Sequence, residues 1–225
     1  MRAKVSRKLK NQSKSKKAMV YEELKNRIIH NLLKPGEPLN EGVLSEEFKI
    51  SKTPIREALQ QLEREGFIEN IPVKGAFVSQ LSIQDLRELF DLREILECEV
   101  IKRAALKVDP EAVEALKEKF VSSENHGKGS STGGFKSGDE IHSFIFETYG
   151  NQRLLGIYKR IQDHIVRSRI HFFNHSSPSH PDRSEESYRE HLEILESLKA
   201  KDPLAAEQAM RNHLRNSMEY LKKVI

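Results

Sequence analysis

Cysteine is almost missing from this 225-residue chain. Cys98 stands alone, which excludes an intrachain disulfide and suits a reducing compartment. Long apolar runs are missing as well. No stretch approaches the roughly 18 apolar residues that a membrane span needs, so no membrane partner is expected. The basic start is followed by polar residues, not by the apolar core of a secretion signal, and a cytoplasmic location is the expectation. Apolar residues are nonetheless plentiful enough, at 37%, to build a core and exclude global disorder.

Acidic residues are absent from residues 1–17, which carry Arg2, Lys4, Arg7, Lys8, Lys10, Lys14, Lys16 and Lys17. That +8 sits within a total of only +4, so the rest of the chain sums to −4. A run of this kind is usually a flexible, solvated tail; the functional alternative is that it adds nonspecific phosphate contacts. Glycine and proline are absent from 82–107, where Leu86, Leu89, Phe90, Ile95, Leu96, Val100 and Ile101 describe a long helix. Further helices are predicted at about 109–122, 136–149, 151–174, 184–200 and 203–223. The Gly-Ser stretch at 126–134 has no strand before it and no Gly-Lys-Ser/Thr ending, which argues against a phosphate-binding loop. Three regions result: a tail at 1–17, a small mixed domain at 18–80, and an all-α domain of six helices at 81–225.

The small domain is the more explicit. From Ala18 to Leu33, Val20, Leu24, Ile28 and Leu32 fall in one helical row, ended by Lys34-Pro35-Gly36. Asn40 is placed to cap a short second helix through Phe48. A third helix starts near Ser51, with Thr53 as cap, Pro54 in the first helical position and Gly66 at the C-terminal end. Ile55, Ala58, Leu59 and Leu62 make its apolar stripe. Ser51, Lys52, Thr53, Arg56 and Gln60 are left on the other face, where recognition helices meet bases and phosphates. Residues 67–71 and 76–79 read as two strands around Pro72-Val73-Lys74-Gly75. The sum is a winged helix-turn-helix with a small β-hairpin wing.

These residues resemble the DNA-binding domain of the GntR family of bacterial transcription regulators. The matching pieces are Lys34-Pro35-Gly36, Leu39-Asn40-Glu41, Ser51 to Leu59, Glu65-Gly66-Phe67-Ile68 and the Lys74-Gly75 wing tip. The resemblance implies base and phosphate contacts from Lys52, Thr53 and Arg56, and entry of the wing at Gly75 into the minor groove. Two positions depart from the family pattern. Lys52 stands where Arg is usual, and a lysine makes a poorer bidentate contact to guanine. Gly42 stands where a contact Arg is common.

In the C-terminal part, His142, His191 and His213 each fall on the inward row of a different predicted helix, with Asp139 one turn before His142. Imidazoles with a carboxylate suit a divalent metal: zinc first, with nickel, manganese or iron also accommodated. The alternative is a set of ordinary core histidines. Arg93 shares the buried row of its helix with Leu86, Leu89, Phe90, Leu96 and Val100, so it needs an anionic partner, either a structural Glu or a bound acid. Arg167 and Arg169 are weaker candidates for the same role. His164, His171, His175 and His180 read as surface residues.

Residues 81–225 resemble the FCD effector domain of the FadR subfamily, in its VanR-like branch. The resemblance rests on Leu92-Arg93-Glu94, Ile141-His142, Gly150-Asn151, Glu190-His191 and Ala209-Met210 with His213-Leu214. It implies a metal on His142, His191 and His213 with one aspartate. The family's aspartate falls at Gly138 here, which leaves Asp139 as the substitute. The expectation is a homodimeric regulator, a repressor and not an enzyme, acting on an imperfectly palindromic double-stranded operator. A small carboxylate effector would bind the metal and Arg93. A regulator with the metal itself as effector is the alternative, and a metal-dependent enzyme a more distant one.

Overall fold

The computed structural model describes the backbone of residues 2–126, 133–173 and 183–224, and the side chains of 16–123, 138–172 and 183–223. The side chains of the basic segment through residue 15, most of the glycine-serine loop, and His175 and His180 lie outside the described residues. The chain forms two compact units. Unit 1 joins Met1–Ser82 with Asp163–Asn174, and unit 2 joins Ile83–Gln162 with His175–Ile225. Among the described residues no helix is long and apolar enough to cross a membrane.

Unit 1 runs α1 (Arg2–Ile29), β1 (Pro38–Leu39), α2 (Glu41–Phe48), α3 (Lys52–Arg64), β2 (Ile68–Ile71) and β3 (Gly75–Val78). Helix α1 ends earlier than the apolar row suggested. Asn31 turns left-handed at φ 58, the N–H groups of Leu32 and Leu33 fold back onto the Arg27 carbonyl, and Leu32 is 69% exposed. Asn40 caps α2 as expected, its side chain accepting from the N–H groups of Gly42 and Val43. Helix α3 starts at Lys52 with Ser51, not Thr53, at its cap position, two positions ahead of the expected start. Pro54 still fits, since the first turn's N–H groups have no intrahelical acceptor anyway. At the other end Gly66 takes φ +79. The N–H of Gly66 reaches the Glu63 carbonyl and that of Phe67 reaches Leu62, the paired bonds of a Schellman ending.

The apolar stripe of α3 faces inward: Ile55, Ala58, Leu59 and Leu62 pack with Val20, Leu24 and Ile28 of α1 and with Phe67, Ile68 and Val78. Each large side chain so buried contributes about 1.5–3 kcal/mol. The wing carries a strand that the sequence did not announce. The sheet has three antiparallel strands in the order β1-β3-β2, with Pro38 opposite Phe77 and Ile68 opposite Val78.

Unit 2 is helical: α4 (Ile83–Ala105), α5 (Pro110–His126), α6 (Gly133–Tyr149), α7 (Gln152–Phe173, whose last turns belong to unit 1), α8 (Ser184–Lys199) and α9 (Pro203–Val224). The starts are written in the sequence. Asp202 accepts from the N–H groups of Leu204 and Ala205, and Asn151 from those of Arg153 and Leu154. Pro203 and Pro110 occupy first helical positions. Helix α4 packs against α9, α6 and α8. Ile101, Ala104, Ile141, Ile145, Ile194 and Leu195 form part of the core between them. Cys98 is one more apolar member of that core, and burial pushes its thiol up to about 11.

Candidate functional site

Three helices of unit 2 each bring one imidazole to the same point. His142 comes from α6, His191 from α8 and His213 from α9, and they are 2%, 6% and 4% exposed. Ring centroids are 4.3 Å apart for His191 and His213, 5.2 Å for His142 and His213, and 5.5 Å for His142 and His191. One ring nitrogen from each lies within 4.8 Å of the others.

The far side of each ring is already engaged. His142 Nδ1 lies 2.5 Å from a Glu97 carboxylate oxygen, His213 Nδ1 lies 2.9 Å from Glu190, and His191 Nδ1 lies 2.7 Å from the Ser187 carbonyl. All three partners are acceptors, so each Nδ1 carries the proton and donates. In a ring that is otherwise neutral, Nε2 is then left with a lone pair. His191 Nε2 is buried and has no hydrogen-bond partner. Burial, followed by the mutual proximity of the rings, holds His191 and His213 well below the usual imidazole range, so both are neutral. Neutral rings with Nδ1–H fixed by a carboxylate or carbonyl and Nε2 converging are the donor set of a histidine metal site. The orphaned Nε2 of His191 fits a metal better than it fits a packed core.

Glu97 and Glu190 were not singled out from sequence as parts of this site. Glu97 bridges His142 to Arg93, whose Nε lies 2.5 Å away. Burial alone raises the Glu97 carboxyl, but Arg93 and His142 outweigh it and hold the group near 2. Glu190 similarly bridges His213 to Arg183. The signal for Glu97 was available: it lies four residues after Arg93 on the same inward face. Glu190 reaches another helix, and spacing gives no notice of that.

The remaining expectations divide. Arg93 is buried, as its row implied, and its partner is the structural Glu97. Asp139 is half-buried and outside the imidazole group, whereas Gly138 is the buried residue beside it. A Cβ placed on Gly138 would lie 3.0 Å from both Cε1 and Nε2 of His191. Successive helical residues point about 100° apart, so the position that faces the cluster is Gly138 and not its neighbour. Arg167 is buried and donates to the Ser79 carbonyl within unit 1. His164, expected at the surface, is half-buried: it stacks on Phe67 at 4.3 Å and 5°, and its Nε2 donates to the Glu65 carbonyl.

In unit 1, Ser51, Lys52, Thr53, Arg56 and Gln60 are all exposed along one side of α3, and Lys74 and Gly75 are exposed at the wing tip. Arg56 is held by Glu41 at the start of α2, with Nε to Oε1 at 2.9 Å and Nη2 to Oε2 at 2.8 Å. This two-pronged grip ties the guanidinium across the two helices, and the spacing of Glu41 and Arg56 in the sequence gives no notice of it. Pro72 and Val73 turn the wing, closed by the Lys74 N–H to Ile71 carbonyl bond. Val73 is fully exposed at φ 70.

Comparison with known proteins agrees with both units. Residues 16–78 match the family described as bacterial regulatory proteins, gntR family, and residues 88–216 match the FCD domain. The chain is 28% identical over 207 residues to the HTH-type transcriptional regulator YdhC of Bacillus subtilis, covering 91% of this chain and 90% of that protein. It is also 28% identical over 206 residues to the HTH-type transcriptional repressor RspR of Escherichia coli, covering 91% and 88%. Among solved structures, E. coli McbR/YncC matches with a TM-score of 0.76 at 19% identity, over 92% of this chain and 97% of that one, a likeness of fold.

Proposed function

The chain belongs to the GntR family of bacterial regulatory proteins, in the subfamily that carries an FCD domain, and from that premise we propose that a small organic acid bound at a metal centre sets its affinity for operator DNA. It is a DNA-binding transcriptional regulator. Its families and relatives are regulators and not enzymes. Repression is carried over from RspR, whose name states it.

One observation carries the metal reading: three imidazoles from three helices, each with Nδ1 engaged, with the Nε2 of His191 buried and partnerless. His142, His191 and His213 would hold the ion, zinc first among the cations that imidazoles suit. When bound, the metal supplies a Lewis-acidic point that attracts a carboxylate. The chain's own residues do the rest. Glu97, Glu190 and the Ser187 carbonyl fix the ring orientations, and Arg93 and Arg183 hold those two carboxylates in place. The apolar core around the cluster excludes water and strengthens each of these interactions.

On the DNA side, a homodimer would set two copies of α3 in successive major grooves of an imperfect palindrome, half-sites about one helical turn apart. Lys52, Thr53, Arg56 and Gln60 would meet bases and phosphates, with Ser51 at the helix start and Lys74 and Gly75 in the minor groove. The acid must favour one arrangement of the two heads, and a coupling of about 1–3 kcal/mol changes operator affinity roughly 5–150-fold.

A selection from random oligonucleotides, repeated with two variants, tests this reading. Arg56→Ala lowers affinity for the selected site about tenfold to a hundredfold and retains metal. His191→Ala loses stoichiometric metal and any response to organic acids, and it still binds the selected site. A selection that enriches no sequence, or wild-type protein purified without chelators that carries no stoichiometric metal, would overturn the corresponding half.

A further inference from the structure

We propose that Val73 is a sequence-reading contact: its methyl groups press on the floor of the operator's minor groove, where they admit an A·T pair and reject G·C. The inference rests on the operator reading above, which sets Lys74 and Gly75 in that groove. It names a further residue that selects the base pair.

The turn comes first. Strands β2 and β3 pair as far as Ile71 and Gly75, which leaves Pro72, Val73 and Lys74 as the tip of the wing. The Lys74 N–H reaches the Ile71 carbonyl at 3.0 Å, so Ile71 to Lys74 is a closed β-turn with Pro72 in its second position. Val73, in the third, has φ 70. A turn with proline second and positive φ third calls for glycine or asparagine there. A β-branched side chain is the most awkward occupant of that backbone conformation.

The fold gains nothing from this choice. Val73 is fully exposed, so its methyl groups bury no surface. The side-chain position of Gly75 is likewise open among the described residues. Backbone strain that persists where no packing holds it points to a binding role. The surroundings then say what is bound. Lys74 and Gly75 are exposed next to Val73, and the polar flank of α3 is exposed on the same unit. A cationic tip is drawn to the negative potential of a narrow minor groove.

Valine sets the preference within that groove. Both kinds of base pair present acceptors there, and G·C adds the guanine N2 amino group. That group stands up from the groove floor. A methyl group pressed on it collides, strips its water and offers no acceptor in return. An A·T pair leaves the place open, and Lys74 alongside can donate to its acceptors.

The test uses the full chain and the duplex that emerges from selection, with affinity read by fluorescence anisotropy. Each base pair of the site is set in turn to A·T, G·C and inosine·cytosine. Inosine keeps guanine's major-groove face and lacks the minor-groove amino group. For wild type, at least one position per half-site binds about fivefold to a hundredfold more weakly with G·C than with A·T. Inosine·cytosine restores the affinity at that position. Val73→Asn, which suits positive φ and offers the amino group an acceptor, levels A·T and G·C there. Val73→Ile, which keeps the apolar branch, keeps the preference. An Asn variant that still rejects G·C overturns the role of Val73. So does the absence of any position at which inosine·cytosine recovers what G·C loses. A selection that enriches no sequence removes the operator reading and this contact with it.

Discussion

The imidazole cluster of unit 2 and the recognition surface of unit 1 are built from the same kinds of polar side chain in opposite settings. In the cluster, Arg93, Glu97, His142, His191 and His213 are each at most 6% exposed, and their hydrogen bonds run to partners on their own or neighbouring helices. On the recognition surface, Ser51, Lys52, Thr53, Arg56, Gln60 and Lys74 all stand in solvent. The proposed function accounts for the difference. A polar group without a partner is costly in a low-dielectric interior, so a site there for a small ligand would be prearranged. A duplex is met across a wet surface, where side chains stay hydrated until phosphates and base edges replace the water. Arg56 is intermediate: Glu41 aims it with two hydrogen bonds, yet its side chain remains 61% exposed.

Matched charge removals probe that contrast, and they carry the largest expected effect. Glu97→Gln leaves Arg93 buried beside a neutral amide. Removing one partner of a buried ion pair costs about 3–5 kcal/mol, so unit 2 should unfold at markedly lower urea. Glu41→Gln makes the same change at an exposed pair, where solvent screens the loss. Its unfolding midpoint should match wild type, while its affinity for the selected DNA site falls because Arg56 is no longer aimed. Comparable destabilisation by the two substitutions would erase the distinction between the regions.

The contrast also governs what could be read from the sequence. Helix α3 was legible because its apolar stripe and terminal glycine are local signals, although its cap position is Ser51 and not Thr53, and the resemblance of that stretch to GntR regulators rests on the same residues. The third strand was not legible: Pro38 and Leu39 are two residues whose strand character exists only through pairing with Phe77 and Ala76. Leu32 kept the helical period, but Asn31 had already ended the helix. The three histidines were visible because each sits on an apolar row. Their Glu97 and Glu190 partners were hidden because the bonds to His142 and His213 cross between helices, and the bare place facing His191 went to Gly138 and not to Asp139 through one residue of helix rotation. Exposed contacts are legible as composition, and buried pairings only as geometry.

A smaller effect is expected from acid, and it sharpens the comparison inside unit 1. The ring of His164 seals part of the DNA-binding unit: it stacks on Phe67, and its Nε2–H donates to the Glu65 carbonyl at 2.8 Å. Burial, with Arg167 and Lys25 nearby, holds the imidazole below its ordinary 6.5, against the opposing pull of the Glu65 carbonyl and Asp163. A histidine with a depressed folded pKa stabilises the fold above its unfolded pKa, and that contribution is lost as pH falls through the folded value. Amide protection factors around Leu62–Ile68, taken relative to the intrinsic exchange rate at each pH, should therefore fall from about pH 6.5 downward, and His164→Gln should flatten the trend. The surrounding charges are Lys25, which Asp163 and Glu65 hold, and Arg167, which donates to Ser79. An unchanged pH trend in the variant would assign the acid sensitivity to those groups instead.

The smallest expected effect concerns strain at the wing tip. The other non-glycine residues at positive φ among those described are Asn31, Lys49 and Lys201, which follow the ends of α1, α2 and α8. Val73 is β-branched, fully exposed, and at φ 70 in the centre of the wing turn. An L-residue in that region costs about 1–2 kcal/mol, and nothing packs around Val73 to repay it. Val73→Gly should relieve this strain, partly offset by the about 0.5–1 kcal/mol that glycine's freedom adds to the unfolded chain. The net gain in unit 1 stability should be at most about 1.5 kcal/mol. If the strain serves to present the valine methyls beside Lys74 and Gly75, the same variant binds the selected DNA site more weakly although it is more stable. Stability and affinity rising together would show the turn to be a tolerated imperfection, and the exposed region would then hold no strained contact of its own to set against the prearranged one in unit 2.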